Sequence, residues 1–251
     1  MKEMSLVEHL EELRKRIIHI LLILIIGFGI CYSIGEQIAG FLMVPLKNSL
    51  GTTGKIVYLG LLDKVLAQFQ IAFWSSILLT SPLWFREVWL FLKPALYDKE
   101  VKVIRPFLIV GFILFWLGVA FGYFIVFPYT FETIMSFGSQ EIEATLSYQD
   151  YLLLASKVLV FLGIVFQLPN VMLILGFMDL VTKYSLRNLR RYIYVIFAIV
   201  SAVLTPPDVI TMLALWFPLC ALYELGILAV AVIVHPYLKR KYAVDSTVRK
   251  S

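Results

Sequence analysis

From 17 to 34 the chain reads IIHILLILIIGFGICYSI, without a single Asp, Glu, Lys or Arg. A helix crosses a hydrocarbon core of ~30 Å with about 20 apolar residues, so a run like this has few uses in water. It recurs. Further apolar runs occupy about 65–92, 106–127, 151–178, 192–204 and 209–234. Hydrophobic residues make up 61% of the sequence and charged residues 16%, against roughly 45–50% and about 25% in soluble domains. The reading is an all-α polytopic membrane protein with six transmembrane helices. No polar stretch is long enough to bury a core of its own. Residues 1–251 therefore form a single six-span membrane domain, with 1–16 an amphipathic N-terminal segment and 236–251 a tail. The first run is too long for a signal-peptide core and lacks a small-x-small cleavage site, so it stays as a span.

Lys and Arg set the orientation. One side holds Lys2, Arg14, Lys15 and Arg16, then Arg86, Lys93, Lys99, Lys102 and Arg105. It also holds Lys183, Arg187, Arg190 and Arg191, and lastly Lys239, Arg240, Lys241, Arg249 and Lys250. The other side holds only Lys47, Lys55 and Lys64, and the stretch 130–150 carries four acids and no base. By the positive-inside rule both termini are cytoplasmic. The same bias accounts for the net charge of +5 without a nucleic-acid partner.

The spans are interrupted. Pro82, Pro169 and Pro218 each remove a backbone hydrogen bond that neighbours must replace in lipid. Gly111, Gly118 and Gly122 line one face of the third span, a close-packing surface expected to be used within the chain. The fifth run, 192–204, rises only about 20 Å at 1.5 Å per residue, and Thr205-Pro-Pro-Asp208 turns it straight into the sixth. Short fifth and sixth helices are expected, with local thinning of the bilayer. Asp63, Ser147 with Asp150, and Asp208 are expected to cap the second, fourth and sixth spans.

Reactive chemistry is sparse. Cys31 and Cys220 sit far apart in apolar runs, and His9, His19 and His235 are scattered. No HExxH, P-loop or GxSxG pattern occurs, so no enzyme activity, metal or cofactor is expected. Charge is concentrated in SLVEHLEELRKR at 5–16. Ser5 and Glu8 form a capping-box pattern. Leu6, Leu10, Leu13 and Ile17 form an apolar stripe, from which Glu8, Glu11, Glu12 and Lys15 fall away. Glu12 with Arg16, like Glu11 with Lys15, is an i,i+4 pair worth ~0.2–0.5 kcal/mol. A second charged stretch is FLKPALYDKE at 91–100. Pro94 ends the second span, Asp98 can cap the third, and Glu100 suits its first turn. Topology puts Glu100 on the same side as Glu12. Two carboxylates there suit a pair of guanidinium groups, with Phe91 available to an adjacent apolar side chain. Arg16 would hold Glu12 until an incoming arginine displaces it.

Gln167 and Asn170 flank Pro169. Either they satisfy the backbone groups the proline frees, or they form a polar site on a path through the membrane. Lys157 can snorkel to the interface, and Glu224 is expected to reach the cytoplasmic one.

These residues resemble the TatC family, the C subunit of the twin-arginine protein translocase. The shared motifs are HLEELRKR at 9–16, PL at 45–46, SP at 81–82, KPALYDKE at 93–100, FPYTF at 127–131, SAVLTPPD at 201–208 and YELGI at 223–227. The resemblance implies a six-helix concave wall in the bacterial cytoplasmic (inner) membrane. It implies recognition of signal peptides with consecutive arginines, on folded proteins exported at the expense of the proton gradient. The signal-binding positions it implies are Glu12, Arg14, Arg16, Phe91 and Glu100, with Pro45, Pro82, Pro169 and Asp208 as structural positions. Many members carry Glu where this chain has Gln167, so a titrating role is replaced here by hydrogen bonding. Implied partners are the single-span subunits TatA and TatB, with self-association in a larger complex. The alternative from residues alone is a small-solute secondary transporter, suggested by the broken helices and buried amides. The inverted repeats common in that class are not evident.

Overall fold

The computed structural model describes residues 6–50, 55–93, 98–136, 145–205 and 208–236. The chain divides into two compact units, one made of Met1–Tyr97 with Phe115–Gly163 and the other of Asp98–Leu114 with Ile164–Ser251. The helix α6 (Asp98–Phe121) contributes to both.

In the first unit, α1 (Leu6–Ser33) has no internal breaker and packs on α4 (Asp63–Leu79) and α5 (Ser81–Leu92). Its inward face carries His9, Glu12, Arg16, His19, Ile23, Gly27 and Cys31, spaced three or four apart, all shaded or buried. Gly27 permits close approach: a Cβ there would lie 2.4 Å from Thr80 Cγ2. Of the apolar stripe, Leu10 (62% exposed) and Ile17 (47%) lie off this face, while Leu13 is half-buried. Glu12 and Arg16 turn inward because they need polar partners.

The second apolar run is two helices. Thr80 ends α4, its hydroxyl donating to Ser76 O at 2.6 Å, while Leu83 and Trp84 amides donate to Thr80 O. Pro82 falls in the first turn of α5, where no amide is required. Asp63 does not cap α4. It is the first helical residue, and its Oδ2 accepts from the Leu59 and Gly60 amides at 2.8 and 2.7 Å.

Two short helices, α2 (Gly35–Leu42) and α3 (Val44–Leu50), follow α1. A two-stranded parallel ribbon pairs β1 (Lys55–Val57) with β2 (Thr145–Ser147). Three-residue strands show too little alternation to read from sequence. The third run continues beyond its expected end, through a π-helical turn (Gly122–Val126) into α7 (Phe127–Ser136). A Cβ on Gly122 would meet Leu162 and Leu159 of α8 (Tyr148–Val165) at 2.8 and 3.0 Å. The glycine face is thus used inside the chain. Ser147 Oγ accepts from the Asp150 amide at 3.2 Å, the expected start of α8. Tyr123 and Tyr151 hydroxyls donate to the carbonyls of Phe41 and Leu42, tying α2 to this packing.

In the second unit, α9 (Leu168–Phe177) ends in a Schellman-type turn. Asp179 adopts φ 60°, and the Leu180 and Asp179 amides donate to Leu175 O and Gly176 O. Thr182 then caps α10 (Lys183–Leu204) through the Ser185 amide. Asp208 caps α11 (Val209–Ala229), its Oδ2 accepting from the Thr211 amide at 2.8 Å, and a π-helical turn (Val230–Val234) continues it. The last two helices are therefore not short, at 22 and 21 residues. Only the apolar half of α10 is short, because the capped helix begins a further two turns upstream among Lys183, Arg187, Arg190 and Arg191.

Among the described residues, four helices are long and apolar enough to cross a membrane: Val7–Ser33, Pro106–Thr133, Tyr148–Phe177 and Val209–Val234. The second and fifth apolar runs fall outside that set because one breaks at Thr80 and the other is half charged. The chain is a helical, multi-pass membrane protein.

Candidate functional site

The inward face of α1 places Glu12, Arg16 and His19 on successive turns. Arg16 Nε donates to Glu12 Oε1 at 2.8 Å, and Nη2 donates to the same oxygen. The third nitrogen, Nη1, donates to Glu87 Oε2 on α5 at 2.8 Å. His19 Nδ1 lies 3.4 Å from that same Glu87 oxygen. Side-chain exposure falls from 22% at Glu12 through 17% at Arg16 to 9% at Glu87. A carboxylate as enclosed as Glu87 needs a paired, hydrogen-bonded cation to stay ionised, and Arg16 supplies it. Two carboxylates share one guanidinium, so these three side chains carry one negative charge in excess.

The i,i+4 pair of Glu12 and Arg16 is thus present, but as half of a larger cluster. Glu87 was not singled out by the sequence reading. The available signal was its position as the one acidic residue within the 65–92 run, since an acid inside a membrane span is a functional candidate by default. Phe91 lies one turn beyond Glu87, and its ring stacks on His9 with centroids 4.8 Å apart, which brings it to the same face of α1. Arg14 is exposed and lies off that face. Glu100 is in the first turn of α6, but its side chain lies outside the described residues, as does Ser5.

In the second unit, Gln167 Nε2 donates to Gly111 O of α6 at 2.8 Å, and Asn170 Nδ2 lies 3.4 Å from Gln167 Oε1. The amide pair therefore bridges two helices rather than repairing the backbone around Pro169. Asn170 is buried, and its Oδ1 has no partner among the described residues. Glu224 accepts from Arg190 Nη2 and from the Tyr194 hydroxyl, joining α11 to α10. Arg190 belongs to the basic half of α10. Pro45 and Pro169 are buried in the first turns of α3 and α9.

The first unit also contains a hollow of about 300 Å³ lined by Cys31, Phe41, Leu78, Trp116, Tyr123 and Ser156 among others. No charged side chain lines it, so it offers a polar solute little grip.

Long apolar helices, stitched by buried polar contacts and headed by a carboxylate-rich cluster at the start of α1, define a multi-pass membrane protein. Residues 8–218 match the family model of the Sec-independent protein translocase protein TatC. The chain belongs to that family. It is 37% identical over 225 residues to the TatC protein of Desulforapulum autotrophicum, covering 90% of this chain and 83% of the relative. It is 38% identical over 222 residues to the TatC of Magnetococcus marinus, covering 88% and 82%. A crystal structure of a twin-arginine translocase receptor, TatC, superposes with a TM-score of 0.80 at 30% identity, over 90% of this chain and 99% of that one.

Proposed function

We propose that this chain is the signal-peptide receptor and core subunit of a twin-arginine translocase, exporting folded proteins across the bacterial cytoplasmic membrane on the proton gradient. The observation that carries the reading is the cluster at Arg16. It is built to hold a guanidinium between carboxylates and retains one negative charge beyond what Arg16 neutralises. A paired-arginine peptide supplies the complementary charge and the planar donor fork that ammonium groups lack. Glu12 is the receiving carboxylate, Phe91 the adjacent apolar contact, and Arg14 and Arg16 the flanking cations. Glu100 joins them on the sequence argument alone.

Six spans with both termini in the cytoplasm accompany this reading, supported by the Lys and Arg asymmetry. The single-span subunits TatA and TatB are the proposed partners, with further copies of this chain in the working complex. The role is one of binding and gating rather than covalent chemistry. Expressed with its single-span partners in cells lacking their own translocase, the chain should export a folded fluorescent reporter carrying a paired-arginine signal. Replacing that pair with lysines should stop export. A reporter retained in the cytoplasm with the arginine signal intact would contradict the function.

A further inference from the structure

Glu87 has no place in the binding site as read from sequence, yet it is the most enclosed member of the cluster. We propose that Glu87 is the seat that retains Arg16 when an arginine-bearing peptide takes Glu12, a positioning residue that sets how readily the site opens. The inference rests on the receptor reading above and adds the means by which the resident arginine yields.

The geometry separates the two attachments. Arg16 reaches Glu12 through Nε and Nη2, and Glu87 through Nη1. Releasing Glu12 therefore breaks one side of the fork and leaves the other bonded. The guanidinium remains in place with its charge compensated, since Glu87 already faces it at 2.8 Å. A lysine at 16 would suit this less well, because an ammonium directs all its donors from one nitrogen and lacks the planar fork that meets the two carboxylates from separate atoms. Exposure orders the exchange. Glu12 is more than twice as accessible as Glu87, 22% against 9%, so an incoming guanidinium meets Glu12 first. His19 adds a second group at the Glu87 oxygen, and the Phe91 ring on His9 fixes α5 against α1 one turn further on. Without Glu87, Arg16 would have Glu12 as its remaining carboxylate within the cluster and would compete with the peptide for it.

The experiment measures binding of a synthetic paired-arginine signal peptide to the full-length protein in nanodiscs, for wild type, Glu87→Gln and the double variant Arg16→Gln with Glu87→Gln. Glu87→Gln should weaken binding roughly tenfold, about one charge-assisted hydrogen bond shifted onto Glu12. The double variant also removes the guanidinium that competes for Glu12, and should bind at least about threefold more tightly than Glu87→Gln alone. A double variant that stays as weak as Glu87→Gln would make Glu87 a direct ligand or a folding determinant, and overturns the proposal. So does a Glu87→Gln protein that binds like wild type. A wild-type protein that ignores the peptide overturns the receptor reading itself, a different result from either.

Discussion

Each unit contains an arginine–glutamate cluster, and the two are built in different proportion. In the first, Arg16 is shared by Glu12 and Glu87, two acids to one base, at a depth where Glu87 is nearly enclosed. In the second, Glu224 is shared by Arg190 and the Tyr194 hydroxyl, one acid to one base with a neutral donor, and both charged side chains are more than a third exposed. The second cluster is balanced in charge and ties α10 to α11, although Arg190 Nε has no partner among the described residues. The first is one positive charge short. The same residue types thus make a charge-balanced strut in one place and an acid-rich cluster in the other, and stoichiometry and depth separate them.

The contrast is most exposed to test at the arginines. Arg16→Leu leaves the enclosed Glu87 without its cation, and should lower stability by about 3 kcal/mol, as expected when one partner of a buried pair is removed. Arg190→Leu acts on a half-exposed pair and should cost about 1 kcal/mol. Thermal or denaturant unfolding of the purified protein in one detergent would compare them, and equal losses would erase the distinction between the clusters.

Gln167→Leu removes an uncharged bridge to Gly111, so a loss of about 1 kcal/mol is expected. Export of a folded reporter should fall while peptide affinity stays at the wild-type level. Reduced peptide affinity in that variant would place Gln167 with the receptor cluster instead.

The smallest effect is expected at Asp208, and it depends on pH. The Thr211 amide holds the Asp208 carboxyl below its ordinary pKa of 3.8. A carboxylate with a lowered pKa in the folded state adds stability above its unfolded pKa, and loses it as pH falls through the folded one. Wild type should therefore unfold at a higher temperature than Asp208→Ala near neutral pH, with the gap closing below pH 3.8. A gap that persists in strong acid would mean that the cap does not depend on the charge.

Much of this was legible in the sequence, for reasons that also mark the limits. Apolar runs located the long helices, because a span must satisfy its backbone within one segment. Caps at Ser147 and Asp208 and the packing role of Gly122 are local properties of spacing, and they were readable. Asp63 was misread because an acid before a helix can hold the preceding turn as well as cap. The shortness expected of the last two helices failed because hydropathy reports the apolar half of α10 and is blind to the charged half that is equally helical. The pair of Glu12 and Arg16 lies four residues apart and was visible. Glu87 lies 71 residues from Arg16, and only the fold brings them together. That missing acid is what turns an ordinary i,i+4 pair into a site with charge to spare.

In the proposed receptor, Glu12 is an arginine-selective carboxylate made available by this surplus. The most direct measurement is the affinity of the full-length protein in nanodiscs for a paired-arginine peptide and for its paired-lysine counterpart, in wild type and in Glu12→Gln. Wild type should favour the arginine peptide roughly tenfold, the worth of a bidentate contact over a point charge. Most of that preference should disappear in Glu12→Gln. Equal affinity for both peptides in wild type, or an undiminished preference in Glu12→Gln, would contradict the account.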